Sequence, residues 1–136
     1  MIDRFNKRFG EEVIKRSIQP ELSIKADHFF LETILVNLIE NALKYAGKDK
    51  SIEVYAMKND SGLTIGVKDQ GNGVPMEHRT AIFTKFFRGE NEETRSKKGT
   101  GLGLFIASEF TKALGGKIAY SDNLPKGAHF QLTFKP

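Results

Sequence analysis

Three short stretches, in one order, limit the folds open to this chain more than any bulk property does. They are Asn37-Leu38-Ile39-Glu40-Asn41-Ala42-Leu43-Lys44-Tyr45, Asp69-Gln70-Gly71-Asn72-Gly73 and Gly99-Thr100-Gly101-Leu102-Gly103-Leu104. The first reads as a helix with a polar edge, the second as an acidic glycine turn, the third as a glycine turn opening a helix. Each alone is a common composition. Together, in this order, they describe a nucleotide pocket.

The rest of the chain supplies a frame for them. Val13–Ile18 and Leu22–Ile24 read as two short strands around the Gln19-Pro20 turn. Asp27 can cap a helix running to about Tyr45, with Gly47 ending it. Ile52, Val54 and Ala56 alternate with polar residues, as do Leu63, Ile65 and Val67. Asn59-Asp60-Ser61-Gly62 between them predicts a hairpin. A second helix is predicted over Leu102–Leu114, with Leu102, Ile106, Phe110 and Ala113 on its apolar face and Gly115-Gly116 as its stop. Ile118–Tyr120 and Phe130–Phe134 complete the strands. The expectation is an α+β two-layer sandwich: a mixed sheet of about five strands, covered on one face by about three helices. At 136 residues, one domain is expected over 11–136, with 1–10 a linker or the end of a preceding helix.

Composition narrows the function classes. The chain has no cysteine, which excludes disulfides and thiolate zinc sites. No apolar run approaches the ~20 residues of a membrane span, so no direct membrane insertion is expected. A cytoplasmic setting fits, and so does a longer parent chain anchored in the inner membrane. A net charge of +4 is too small to point to nucleic acid.

On a helical wheel Leu31, Ile34, Leu35, Leu38 and Ala42 form the apolar sector of the first helix. Asn37, Asn41 and Lys44 sit at its edge, looking sideways into a cleft. Amide oxygens suit a hard cation such as Mg²⁺, a lysine one turn on can reach phosphate, and Tyr45 offers a flat face to a base. Solvated asparagines and a surface Glu40–Lys44 pair are the rival reading. Asp69 shares strand parity with Leu63, Ile65 and Val67 and so points inward, where a carboxylate needs a donor. An adenine amino group is one; a turn in which Asp69 merely caps backbone amides is the alternative. Gly71 and Gly73 allow close backbone approach. Gly99, Gly101 and Gly103 lead into a helix N-terminus suited to phosphate, or form a plain flexible loop. The spacing fits neither a Walker loop nor a Rossmann fingerprint.

Val74–Lys98 reads as a long lid-like stretch with one short helix near Met76–Phe83. Ile82, Phe83, Phe86 and Phe87 can anchor one end. The charged remainder, including Arg88, Arg95, Lys97 and Lys98, can stay mobile until nucleotide arrives.

These stretches resemble the N box, the two glycine boxes and the F box of bacterial sensor histidine kinases. That catalytic domain shares a wider ATP-binding group with DNA gyrase, heat-shock chaperone ATPases and MutL-type repair proteins. The likeness spans roughly Ala26–Phe134, and Thr80–Arg88 (TAIFTKFFR) is the part that points to a histidine kinase. It implies a Bergerat-type fold with a mobile ATP lid. It implies Mg²⁺ held by Asn37 and Asn41, a phosphate contact from Lys44, and Tyr45 against the adenine; Arg88, read from the charges of the lid, can touch phosphate or be solvated like most of that run. Asp69 would accept from the adenine amino group, Gly71 and Gly73 would shape the base pocket, and Gly99, Thr100, Gly101, Leu102 and Gly103 would wrap the phosphates.

Asn37 stands where hydrolytic relatives tend to place a water-activating glutamate. An amide is not a general base, so ATP is expected to be held for transfer to a histidine and hydrolysed poorly. His28, His78 and His129 do not sit in the run expected of a phosphoacceptor helix. The chain thus reads as a fragment whose partner is a separate dimerisation domain, with a response regulator downstream. Glu40 can act on the acceptor histidine or pair with Lys44. Ala128, after the last-strand glycine, lacks the hydroxyl of many relatives, a departure that removes one water-mediated base contact from what the resemblance implies. A gyrase- or chaperone-type ATPase switch, an anti-sigma-factor-type serine kinase and a non-catalytic nucleotide sensor are the alternatives.

Overall fold

The computed structural model describes residues 14–20, 22, 26–45, 51–84 and 102–136. One sheet has the strand order β1-β2-β3-β5-β4. β1 (Ile14–Ile18) is parallel to β2 (Ile52–Asn59), and the crossover between them carries helix α1 (His28–Tyr45). β3 (Gly62–Lys68), β4 (Lys117–Asp122) and β5 (Ala128–Phe134) join by antiparallel pairing, which makes the sheet mixed as expected. Helix α2 (Gly103–Ala113) precedes β4.

Local chemistry sets the ends of these elements. The Asp27 carboxylate accepts from Phe30 N–H at 3.1 Å and caps α1. In the β2–β3 turn Asn59 Oδ1 accepts from Ser61 N–H at 2.8 Å. α2 stops at Gly115, φ +81°; Gly115 and Gly116 N–H bond back to Lys112 and Thr111 carbonyls, a Schellman closure.

One core lies between the helices and one sheet face. Ile52, Val54, Ala56, Leu63, Ile65, Val67, Phe130 and Leu132 meet Ile34, Leu38, Ile39, Ala42 and Ala107 there. The alternation read from the sequence therefore selects the buried face correctly. Leu31 and Leu35 pack against it from the margin, and Ile39 extends the apolar sector of α1 beyond the expected set.

Three expectations are corrected. Leu22 is not in a strand: the Gln19 side chain accepts from Lys58 N–H at 2.7 Å, and the chain turns off the sheet with Leu22 N–H on Gln19 O. The rest of that predicted strand, and Gly47, lie outside the described residues. The element near Met76–Phe83 is not one helix but two 3-10 turns, Met76–His78 and Ala81–Phe83, so the described residues hold two α-helices rather than three. Arg79 falls between the turns and reaches across to β4, which breaks the run. On α2, Ala113 is exposed and the fully buried residues are Ala107, Ser108 and Thr111. Small side chains let α2 approach closely, and the Thr111 hydroxyl is satisfied within the helix by Ala107 O at 2.6 Å.

Candidate nucleotide site

The end of β3 delivers Asp69 to the interior, 3% exposed. Its backbone stays in register with β5, with Asp69 N–H on Ala128 O at 2.9 Å. Its carboxylate Oδ1 accepts from Gly71 N–H at 2.9 Å and Ala128 N–H at 3.1 Å. Among the described residues no donor reaches Oδ2. Burial holds the Asp69 carboxyl above its ordinary range, and the two backbone N–H groups only partly oppose this. One oxygen caps backbone amides, as one of the two sequence readings expects.

The surrounding backbone is too close for side chains. A β-carbon on Gly71 would sit 2.1 Å from Tyr45 O, so the acidic turn lies directly against the C-terminal end of α1. Gly73 has φ +73°, a conformation that glycine adopts without strain. The two glycines therefore serve different needs, approach and conformation.

At the other end of the site, Asn37 Nδ2 donates to Thr33 O at 2.9 Å, which turns Oδ1 outward. A β-carbon on Gly103 would lie 3.3 Å from that oxygen, so the polar edge of α1 meets the N-terminus of α2. Leu102 is the N-cap of α2 and makes no side-chain cap bond. Asn41, Lys44 and Tyr45 are half-buried along the same helix edge, with Lys44 Nζ 5.3 Å from the centre of the Tyr45 ring. Glu40 is exposed. Arg88, Gly99, Thr100 and Gly101 lie outside the described residues, as do Phe86 and Phe87. Ile82 is buried and Phe83 packs on the core, edge-on to Phe130 at 6.0 Å. The donor set fits Mg²⁺, which takes one or two protein oxygens and keeps its other positions for water and phosphate.

Several residues that support the pocket were not singled out from the sequence. Asn123 Nδ2 donates to Asp69 O at 2.7 Å. Gly127, φ +121°, has so close a contact that a β-carbon would sit 1.9 Å from Asp69 O. Tyr120, Asp122 and Arg79 hold the segment after Gly73. A glycine just before the last strand is a visible sign; the others are brought together only by the strand order.

A mixed sheet covered by helices, with a buried carboxylate at the end of β3 and a glycine turn against the end of α1, is the architecture of a class of ATP-binding module. Residues 26–136 match the family model for histidine kinase-, DNA gyrase B- and HSP90-like ATPases, and the chain belongs to that family. It is 36% identical over 110 residues to the sensor protein CiaH of Streptococcus pneumoniae, covering 81% of this chain and 25% of that protein. The chain thus spans about a quarter of the length of this curated relative. Its fold resembles the mycobacterial sensor histidine kinase MprB, with TM-score 0.75 and 25% identity over 98% of this chain and 87% of that one. It also resembles full-length ShkA, solved with AMPPNP, with TM-score 0.74 and 28% identity over 99% of this chain and 29% of that one. Among the described residues no helix is long and apolar enough to cross a membrane.

Proposed function

We propose that this chain binds Mg-ATP and donates its γ-phosphoryl group to a histidine on a separate dimerisation domain of a two-component sensor kinase. The observation that carries the base assignment is Asp69, whose buried carboxylate has one oxygen locked by two backbone amides and, among the described residues, no donor on the other. An adenine 6-amino group supplies that donor. The juxtaposition of Asn37 and Gly103 supports phosphates between the two helices, with Lys44 as a point charge beside them. ShkA, which resembles this chain in fold, is solved in complex with AMPPNP, and that supports a nucleoside triphosphate as the ligand.

In the reaction an imidazole nitrogen attacks the γ-phosphorus, a P–N bond forms, the bridge to the β-phosphate breaks, and ADP leaves. Positioning and charge neutralisation carry most such transfers. When bound, Mg²⁺ neutralises phosphate charge; Asn37 and Asn41 are the residues that would hold it. An amide at position 37 gives no general base for water, which favours transfer over hydrolysis. Residues 11–136 would form this domain, Glu40 stands exposed where an incoming histidine could meet it, and Arg88 and the Gly99–Gly101 turn would complete the phosphate side.

Calorimetric titration with Mg-ATP, followed by incubation with a supplied dimerisation domain, tests the reading. Saturable binding and an acid-labile phosphoprotein are expected. Steady ATP turnover by the isolated chain, without transfer, would instead place it with the ATPase switches.

A further inference from the structure

The segment leaving the acidic turn is tied to the sheet by a closed ring of hydrogen bonds. Val74 N–H donates to Tyr120 Oη at 2.9 Å. Tyr120 Oη donates to Asp122 Oδ1 at 3.0 Å. Arg79 Nη2 reaches the same oxygen at 2.8 Å, and Arg79 Nε returns to Val74 O at 3.2 Å. Both peptide groups flanking Val74 are therefore held. The Arg79 guanidinium also lies 5.0 Å from the centre of the Tyr120 ring, and that ring packs edge-on against Phe130 at 5.5 Å.

The ring adjoins the anchors of Asp69, since Asp122 of the ring is followed by Asn123. Asp69 is fixed from β5 and Asn123, whereas residues 70–74 have few ties of their own. Apart from Gly71 N–H on Asp69, their hydrogen bonds among the described residues are those of the ring. A β-carbon on Gly73 would lie 3.1 Å from Tyr120 Oη and 3.2 Å from Gly127 O, so the phenol hydroxyl touches the turn directly. A shift of that hydroxyl moves Gly73, and Gly73 lies in the turn that begins at Asp69.

We propose that Tyr120, Asp122 and Arg79 are positioning residues for the base pocket, fixing the Gly71–Gly73 backbone against Asp69 and so setting affinity for the adenine ring. This rests on the reading that Asp69 receives the base. A guanidinium suits this bridge, because Nε serves Val74 O and Nη2 serves Asp122 in a fixed fork; a lysine would have to reach both from a single nitrogen. A role limited to stability would change the melting temperature without changing how the folded protein weighs the base.

Tyr120→Phe keeps the ring and its contact with Phe130 and removes only the hydroxyl. Its binding of Mg-ATP by calorimetry and of adenosine by chemical-shift titration should both weaken by a similar factor, about five- to twentyfold, the scale of one or two hydrogen bonds. Asp122→Asn and Arg79→Lys should weaken binding of both ligands in the same way, and Arg79→Lys combined with Asp122→Asn should cost less than the product of the two single losses. Affinity within twofold of the parent in Tyr120→Phe and Asp122→Asn would overturn the proposal, as would loss of ATP binding with adenosine unchanged. Asp69→Asn in the same series separates the two levels. If it abolishes binding while the ring variants do nothing, the positioning role fails and the base reading stands. If it too changes nothing, the base reading fails and the positioning role with it.

Discussion

Replacing Asp69 with asparagine exchanges one carboxylate oxygen for an NH2 group and alters little else in shape. Gly71 and Ala128 N–H both point at Oδ1, so the new amide must keep its oxygen there. Its NH2 is then forced into the Oδ2 position, facing a ligand that also presents a donor. A hydrogen bond to a charged acceptor contributes roughly 1.5–3 kcal/mol, so Mg-ATP affinity should fall about ten- to a hundredfold. Folding stability should move the other way. Burial raises the Asp69 carboxyl above its ordinary 3.8, so the folded state holds that proton more tightly than the unfolded chain does. Its contribution is therefore fully present below pH 3.8 and is lost as pH rises through the raised folded value. The uncharged amide escapes this cost, and Asp69→Asn should be as stable as the parent or more so at neutral pH. Urea unfolding and calorimetric titration on the same preparation measure both quantities. Undiminished ATP affinity would refute the base assignment. Weaker binding accompanied by a large loss of stability would refute the argument that the substitution acts at the ligand.

Further outcomes follow from the same geometry. Gly127→Ala should destabilise the fold by about 1–3 kcal/mol in urea unfolding, because φ is +121° and the new carbon would overlap Asp69 O; Gly115→Ala, with positive φ but open space, should cost less. His129 Nε2 lies 2.6 Å from Tyr55 Oη, and Nδ1 lies 3.1 Å from Ser121 Oγ. Burial first, then the Lys68 charge, lower its affinity for a proton below the ordinary 6.5, against a smaller opposing effect of Glu53. Stability from this group is present above pH 6.5 and is lost as pH falls through the lowered value, so His129→Gln should flatten unfolding free energy measured just below pH 6.5. Asn37→Glu places a carboxylate at the end of the pocket that meets Gly103, and should raise basal ATP turnover while lowering transfer to histidine.

Much of this was legible because the signals were local. Strand parity alone sends Asp69 inward with Leu63, Ile65 and Val67, and the structure buries all four. The hairpin and the stop of α2 came from turn chemistry confined to a few residues, Asn59-Asp60-Ser61-Gly62 and Gly115-Gly116. The apolar face of α2 was legible only in part: Phe110 packs on the core as expected, but Ala113 is exposed, and close helix packing buries the small residues Ala107, Ser108 and Thr111 instead. The Leu22 strand failed because a side chain, Gln19, took the amide that a continuing strand would have bonded. The Arg79–Asp122–Tyr120 ring has no sequence sign: its members lie on the pocket segment and on β4, which meet only when β5 inserts between β3 and β4. Asn37 and Gly103 converge for a similar reason, through helix packing rather than spacing.

The most direct test of the account is the fate of the γ-phosphate. Radiolabelled Mg-ATP should be incubated with this chain, alone and with a dimerisation domain bearing its acceptor histidine. The account predicts label on that domain, stable to alkali and lost in acid, with little free phosphate from the chain alone. Rapid release of inorganic phosphate with no labelled histidine would contradict it.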